Sequence, residues 1–166
     1  MDSRVLYEAS FVFQPAWLLM LLIGAVWVTG TILTLKSGKP PKGERRETPL
    51  WVFVVGLIFL AFVYIVVIPD QINMYNATVG AYHRGEYQIV EGYVEDYHPM
   101  PKEGHDQESF TINGVTFAYN DATLQFGYHK TKPRGGVITE DGQHLKIGYT
   151  NYKWLGNVIV YIEELP

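Results

Sequence analysis

The sequence contains no cysteine among its 166 residues, and it has only four serines. Without cysteine the chain forms no disulfide, offers no thiolate to a metal and carries out no thiol catalysis. None of the serines lies in a Gly-x-Ser-x-Gly nucleophile elbow, and Gly135-Gly136 lacks the spacing and the lysine of a phosphate-binding loop. These absences favour a protein that is not an enzyme and that uses no cofactor.

Charge is also missing from two long stretches of the chain. Residues 16–35 and 50–68 contain no Asp, Glu, Lys or Arg. At 1.5 Å of rise per residue, about twenty helical residues cross the roughly 30 Å hydrocarbon core of a bilayer. A cleaved signal peptide fits less well, because the first run is too long. Two buried helices of a soluble protein also fit less well, because so small a chain has too little polar surface to cover them. We therefore predict two transmembrane helices.

Basic residues concentrate in the loop between the two runs. Residues 36–49 carry five Lys or Arg against two Glu, a net charge of +3. Short loops rich in Lys and Arg stay on the cytoplasmic side of a membrane. We therefore predict a multi-pass protein of the inner (plasma) membrane, with both termini, including an N-terminal segment 1–15, on the extracytoplasmic side. The alternative, a site for anionic lipid or nucleic acid, has few charges to support it.

Small residues four positions apart mark the first run. Ala25 and Thr29, and then Gly30 and Thr34, have the spacing that lets helix backbones approach one another. This spacing predicts that the two spans pack as an antiparallel hairpin.

A separate juxtamembrane helix is predicted over residues 70–84. Pro69-Asp70 is expected to end the second span. Beyond it, the apolar side chains recur at intervals of three and four, which is the spacing of one helix face; they are Ile72, Tyr75, Val79 and Tyr82. Gly85 follows as the expected C-terminal cap.

The remaining residues, 86–166, predict a small all-β domain of about five strands, with the size of a barrel of the SH3 or OB kind or of a sandwich. Asn113-Gly114 between alternating apolar residues is the strongest short-range hairpin signal. Gly92 inside a strand pattern indicates a bend or a close approach of backbone. Further strands are expected around residues 145–149 and 157–165, and a short one at Val137–Thr139. The fold class is thus an α+β membrane protein.

Glycines and aromatic residues recur through this half of the chain in a recognisable order. They are Gly85-x-Tyr87, Val90-Glu91-Gly92-x-Val94, Glu108-Ser109-Phe110-x-x-Asn113-Gly114-x-x-Phe117-x-Tyr119, Gly135-Gly136, Gly142 and Ile147-x-Tyr149. This succession resembles a family of uncharacterised bacterial proteins that carry a small β domain, alone or behind membrane helices. The resemblance implies a bacterial origin and a compact β fold, and it brings no catalytic or binding residue.

One polar cluster has the chemistry of a metal site. Imidazole, thioether and carboxylate groups lie close together between His98 and Glu108, a set that suits copper; they are His98, Met100, His105, Asp106 and Glu108. No established ligand spacing is matched, and the stretch is equally typical of an exposed loop with proline and glycine.

Tyrosine is abundant in the C-terminal half, where an aromatic face would stack bases or sugars or would simply fill a thin core. Nucleic acid is disfavoured, because residues from Asp70 onward hold thirteen acids against seven bases, a net charge of −6.

The sequence therefore predicts a non-enzymatic integral membrane protein. Its partners are expected to be the lipid bilayer and another envelope protein, bound by the β domain through an exposed strand edge or a tyrosine-rich face. Two alternatives stay open. One is a metal-binding or hydrolytic envelope protein that uses the His98–Glu108 loop, and the other is a membrane effector or immunity protein that acts through its hairpin.

Overall fold

A computed structural model of the chain describes residues 3–10, 15–36, 42, 50–101 and 106–166. A short strand, β1 (Arg4–Glu8), precedes the first helix, α1 (Pro15–Lys36). A second helix is continuous from Trp51 to His83. Six strands follow in the C-terminal half: β2 (Gln88–Tyr93), β3 (Glu95–His98), β4 (Glu108–Ile112), β5 (Val115–Tyr119), β6 (His144–Tyr152) and β7 (Gly156–Glu164). Apart from Lys36 and Lys42, the predicted cytoplasmic loop lies outside the described residues.

The chain divides into two compact units, a helix unit (Phe13–Gln71) and a β unit that joins the N-terminal strand to Ile72–Pro166. The sequence predicts a smaller β domain, 86–166. The compact unit that holds the sheets also includes β1 and the last turns of the second helix.

In the helix unit, α1 and the second helix lie against each other in opposite directions. Gly24 faces Leu60 and Tyr64, whereas Gly30 lies against the ring of Phe53. Further along the same face, the indole of Trp27 packs on Gly56, where an added Cβ would collide with it. The antiparallel pairing expected from the sequence is thus present.

The small residues that make this contact differ in part from the expected ones. Ala25 and Thr29 are exposed, so their predicted role in helix packing is wrong. The packed face carries Gly24 and Gly30. Thr34 lies one turn after Gly30, and its hydroxyl donates a hydrogen bond to the Gly30 carbonyl at 2.8 Å. The glycines matter because they let the bulky rings of the second helix approach the α1 backbone.

Pro69 does not end the second helix, contrary to the sequence-based expectation. Three α-helical stretches, Leu50–Phe62 (α2), Ile68–Tyr75 (α3) and Ala81–His83 (α4), are joined by π-helical turns at Val63–Val67 and Asn76–Gly80. Proline has no N–H to bond the carbonyl four residues earlier, and a wider π turn just before it lets the helix accommodate this loss. The predicted span 50–68 and the predicted helix 70–84 are therefore one helix.

Among the described residues, one helix, Trp51–His83, is long and apolar enough to cross a membrane. The apolar part of α1 whose side chains are described, Met20–Thr34, is shorter. At 1.5 Å per residue, the longer helix exceeds the roughly 30 Å of a hydrocarbon core.

The β unit contains two antiparallel sheets that do not close into a barrel. Sheet A has the strand order β1-β7-β6-β2, and sheet B has the order β3-β4-β5. The predicted barrel is therefore wrong, whereas a small antiparallel β domain is confirmed. The predicted strand at Val137–Thr139 is absent, because these residues lie in a loop. The sequence analysis also missed β1, which pairs with β7 from Arg4 opposite Glu164 to Glu8 opposite Tyr161.

Both sheets contribute side chains to one core. Sheet A supplies Leu145, Ile147, Ile159 and Ile162, and sheet B supplies Phe110, Ile112, Phe117 and Tyr119. The sheets approach closely at Gly92, where an added Cβ would lie 2.9 Å from Asn113 Nδ2. This contact confirms the close approach expected at Gly92.

The hairpin between β4 and β5 turns at Asn113 and Gly114, whose φ angles are +47° and +79°. Two positive φ angles are the requirement of a type I′ turn, which Asn-Gly satisfies at little cost. The predicted hairpin is confirmed.

The last turns of the second helix cover the face of sheet A opposite the shared core. Met74, Thr78, Val79 and Ala81 are buried there, as are Val158 and Val160 of β7, which do not belong to the core between the sheets. The ring of Tyr82 stacks on that of Tyr161, with centroids 6.3 Å apart.

The predicted helix face is right for three of its four residues. Tyr75 packs on Phe126, Val79 is buried and Tyr82 faces Tyr161, but Ile72 is 51% exposed. The π turn at Asn76–Gly80 interrupts the regular spacing on which the prediction rested. The cap is confirmed: Gly85 has φ +73°, and the N–H groups of Gly85 and Glu86 donate to the carbonyls of Tyr82 and Ala81.

The N-terminal strand should contribute to the stability of the β unit. The ring of Tyr7 packs edge-on against Tyr128, with centroids 5.2 Å apart. We expect Tyr7→Ala to lower the free energy of unfolding by about 2 kcal/mol, since it leaves a cavity beside the core. Limited proteolysis of the full chain in detergent over a urea series measures this change.

The matched control is Val5→Ala on the same strand, where the side chain is 50% exposed. Its effect should stay within about 0.5 kcal/mol. Equal stability of the Tyr7 and Val5 variants would show that β1 does not belong to the folded unit.

Candidate functional site

Glu108, the first residue of β4, is fully buried. One carboxylate oxygen accepts a hydrogen bond from the Tyr119 hydroxyl at 2.8 Å, and the other accepts one from the Lys132 backbone N–H at 2.8 Å. A carboxylate taken out of water is costly unless such donors replace its hydration. The side chain is therefore held in place and both of its oxygens are engaged.

Three tyrosines surround this carboxylate. Burial, together with the nearby charge of Glu108, raises the pKa values of Tyr97 and Tyr119 well above the usual range. Burial likewise raises the pKa of Tyr128 to about 12. Their hydroxyls stay protonated at neutral pH, so they serve as hydrogen-bonding groups rather than as proton acceptors.

The loop after Tyr128 closes over this cluster. The Tyr128 hydroxyl accepts a hydrogen bond from Val137 N–H at 2.6 Å, and the Lys132 ammonium donates to the Thr139 carbonyl at 2.6 Å. Gly136 lies so close to the Lys130 carbonyl that no Cβ fits there. Glu108 therefore acts as a latch, which fastens the 128–139 loop to the sheet.

The structure separates the residues of the proposed metal cluster. His98 and Asp106 are exposed, Met100 is half-buried and Glu108 is buried with its hydrogen bonds made; His105 lies outside the described residues. Across the described part of the chain, no group of three or more His, Asp or Glu residues is placed to hold a metal ion. Among the described members of this set, Glu108 is the residue that is buried and hydrogen-bonded to other parts of the β unit.

A cleft opens on the other side of sheet A, where β2 begins. Its volume is about 370 Å³, and it is lined by Ala77 of the helix, by Gly85, Glu86, Tyr87 and Gln88, and by Tyr149, Thr150 and Asn151 of β6. Thr150 is only 8% exposed, yet its hydroxyl has no hydrogen-bond partner among the described residues. A buried hydroxyl without a partner carries a desolvation cost.

The sequence analysis did not identify this cleft. The cap at Gly85 and the strand at 145–149 were both predicted, but their juxtaposition depends on how the helix packs on sheet A. One local signal was available: only two residues separate Gly85 from β2, so the chain has little length in which to cover the end of β6.

No protein-family model matches the sequence, and comparisons with curated proteins and with solved structures give no significant match. The resemblance to a bacterial β-domain family therefore stays a prediction. Its motif residues have structural roles in this fold, among them the helix cap at Gly85 and the turn at Asn113-Gly114.

Removing the latch should open the loop. In Glu108→Ala, the Tyr119 hydroxyl and the Lys132 N–H lose their acceptor, at a cost of about 1–3 kcal/mol for each buried group. We expect faster tryptic cleavage after Lys130 and Arg134, both of which are exposed. Mass spectrometry of the full chain, digested briefly in detergent, measures the cleavage at each site.

Glu108→Gln is the control, because its amide oxygen accepts from the Lys132 N–H while its NH₂ donates to the Tyr119 oxygen. Cleavage should stay close to that of the unaltered chain. Equal protection of the loop in the Ala and Gln variants would disprove the latch.

Proposed function

We propose that this chain is a two-span integral membrane protein whose β unit is a protein-interaction module on the extracytoplasmic side. One observation supports the two-span arrangement most directly. β1 precedes α1 and β7 follows the second helix, yet the two strands pair along Arg4–Glu8. Paired strands lie on the same side of a membrane, so the chain between them crosses it an even number of times.

This parity supports a crossing by α1. If Trp51–His83 crosses once, a second crossing must lie between Glu8 and Trp51, and α1 is the described helix in that interval. The outward side chains of both helices fit a lipid environment: Val26 is 72% exposed and Ile65 is 73% exposed. In water, continuous apolar surface of this kind would promote association.

The orientation is supported by charge. The loop 36–49 has a net charge of +3, which favours the cytoplasmic side, and the β unit would then face the opposite compartment. That compartment is the envelope side of the inner membrane predicted from the sequence.

A binding role is supported by the chemistry of the β unit. Glu108, the one buried carboxylate among the described residues of this unit, has both oxygens occupied by hydrogen bonds within the fold. At the surface, by contrast, large apolar side chains stay uncovered: Tyr93 is 57% exposed, Leu124 is 59% exposed and Trp154 is 68% exposed. Exposed aromatic groups are typical anchors of protein interfaces. The bilayer and an envelope protein are the proposed partners.

The cysteine-free sequence permits a direct test of the topology. We expect Ser10→Cys and Ala122→Cys, both at exposed positions, to react with a membrane-impermeant maleimide in intact cells. Ser37→Cys, in the basic loop, should react only after the membrane is permeabilised. Mass tagging on gels measures the labelled fraction.

Two outcomes would contradict distinct parts of the proposal. If Ser37→Cys alone were labelled in intact cells, the orientation would be the opposite of the proposed one. Different accessibility of Ser10→Cys and Ala122→Cys would contradict the even number of crossings.

The interaction role is tested by photo-crosslinking in living cells. A photoreactive phenylalanine analogue replaces Tyr93, Leu124 or Trp154, one at a time, in the full chain. We expect discrete protein adducts from at least one position after irradiation, and none from the same variants kept in the dark. Adducts to lipid alone at all three positions would contradict an interaction module.

A further inference from the structure

The last turns of the second helix cross sheet A in a definite direction. Tyr87, just after the helix, lies so close to Gly148 of β6 that an added Cβ there would be 3.0 Å from its ring. Ala77, ten residues earlier, lines the cleft together with Asn151. Earlier residues of the helix therefore lie beside later residues of β6, and the helix enters the β unit from the side of the turn between β6 and β7.

The N-terminal strand runs toward the same turn. β1 is antiparallel to β7, so it passes β7 residues of decreasing number and ends with Glu8 opposite Tyr161. Ala9 continues this course, and its N–H donates to the Val160 carbonyl at 2.8 Å. Both connections between the β unit and the apolar runs thus lie toward one end of sheet A, the end that carries the β6–β7 turn.

This turn exposes a tryptophan. A short 3₁₀ helix, Lys153–Leu155, joins the two strands, and Trp154 within it is 68% exposed. The residue before it, Lys153, has a φ angle of +34°. A positive φ is costly for a residue other than glycine, and such strain is concentrated at sites of function.

Trp154 extends about as far as the point where the helix enters the β unit. The unit begins on the helix at Ile72, five residues before Ala77, which is about 7 Å along a helix. Trp154 lies three residues beyond Asn151, which is up to about 10 Å along an extended chain. The two distances are comparable, so the turn and the entering helix lie at a similar level.

Charge differs between the two ends of sheet A. Residues 150–158, at the end with the turn, contain one base and no acid. At the opposite end, where Leu145 pairs with Glu164, residues 140–146 and 162–164 contain four acids and one base. A membrane surface that carries anionic lipid repels acids and attracts bases. The end with the turn is therefore the one suited to lie against a membrane.

We propose that the β6–β7 turn inserts Trp154 into the phospholipid headgroup layer of the extracytoplasmic leaflet. This inference rests on the membrane topology of the proposed function. The uncharged run 50–68 ends four residues before Ile72, or about 6 Å along a helix. The headgroup layer outside the hydrocarbon core is roughly 5–8 Å deep, so this end of the β unit lies at its depth. Tryptophan favours that layer, because its ring is apolar and its N–H is polar.

The proposal divides the exposed aromatic side chains between two partners. Tyr93 lies opposite His144, near the acidic end of sheet A, and stacks on its ring with centroids 4.6 Å apart. With the helix and the turn both fixed at the membrane, the β unit keeps one orientation and its acidic end points away from the lipid. Trp154 then contacts lipid, and Tyr93 is left for the protein partner.

Fluorescent labels measure the depth of the two ends. Trp154→Cys and Tyr93→Cys are made separately in the full chain, labelled with bimane and reconstituted in nanodiscs of phosphatidylethanolamine and phosphatidylglycerol. A lipid with a nitroxide near its headgroup should quench the label at position 154 at least about threefold more strongly than the label at position 93. Iodide, which stays in water, should quench the two labels in the opposite order.

Variants of Trp154 test the anchor itself. A bimane label on Asn151→Cys, an exposed position beside the turn, reports the exposure of the turn to iodide. We expect Trp154→Ser to raise this quenching at least about twofold, because serine has no ring to hold in the headgroup layer. Trp154→Tyr retains an amphipathic ring and should leave the quenching nearly unchanged. The tryptic pattern of the 128–139 loop reports whether each variant is folded.

Three results would overturn the proposal. One is equal quenching of the labels at positions 154 and 93 by both agents, and another is unchanged iodide quenching in a folded Trp154→Ser chain. The third is a photoreactive analogue at position 154 that gives protein adducts and no lipid adducts in cells, which would assign Trp154 to a protein interface. If any of these occurs while Ser10→Cys, Ala122→Cys and Ser37→Cys label as expected, the lipid contact fails and the two-span topology stands.

Discussion

The packing of the last helical turns on sheet A is the contact on which the rest of the β unit depends. Met74, Val79 and Ala81 bury the face of β6 and β7 that the core between the sheets leaves uncovered. The Schellman cap at Gly85 then directs the chain into β2 after only two residues. Because the chain leaves the helix at this point, β2 starts opposite Tyr149, and its pairing with β6 does not extend beyond that residue. The cleft is a direct consequence of where this helix ends.

A second constraint comes from the pairing of the two ends of the chain. β1 contributes five residues to a sheet whose other strands lie about eighty or more residues away, beyond both helices. Closing so long a connection costs conformational entropy, although the cost grows only slowly with its length. A bilayer that holds both helices in a hairpin would bring the ends together beforehand and so reduce this cost. The proposed topology and the observed sheet therefore support one another physically.

The sequence predicted features that a few neighbouring residues determine. The Asn113-Gly114 turn and the Gly85 cap each depend on positive φ angles that short local patterns reveal. Features that depend on distant partners were missed or predicted wrongly. β1 is only five residues long and pairs with the far end of the chain. Pro69 was expected to end the second helix, but a π turn just before it accommodates the proline within the helix. Glu108 looked like a loop ligand because its partners, Tyr119 and the Lys132 N–H, lie eleven and twenty-four residues away.

The polar groups buried in this unit differ in whether hydrogen bonds within the fold satisfy them. Glu108 carries the larger desolvation cost, but its two hydrogen bonds offset that cost within the fold. Thr131 and Thr150 each bury a hydroxyl with no partner among the described residues. Thr131 lies inside the loop that Glu108 holds, whereas Thr150 is one of the residues that line the cleft beside the helix. Both oxygens of Glu108 are engaged by hydrogen bonds within the fold, so the Glu108 cluster serves the stability of the β unit.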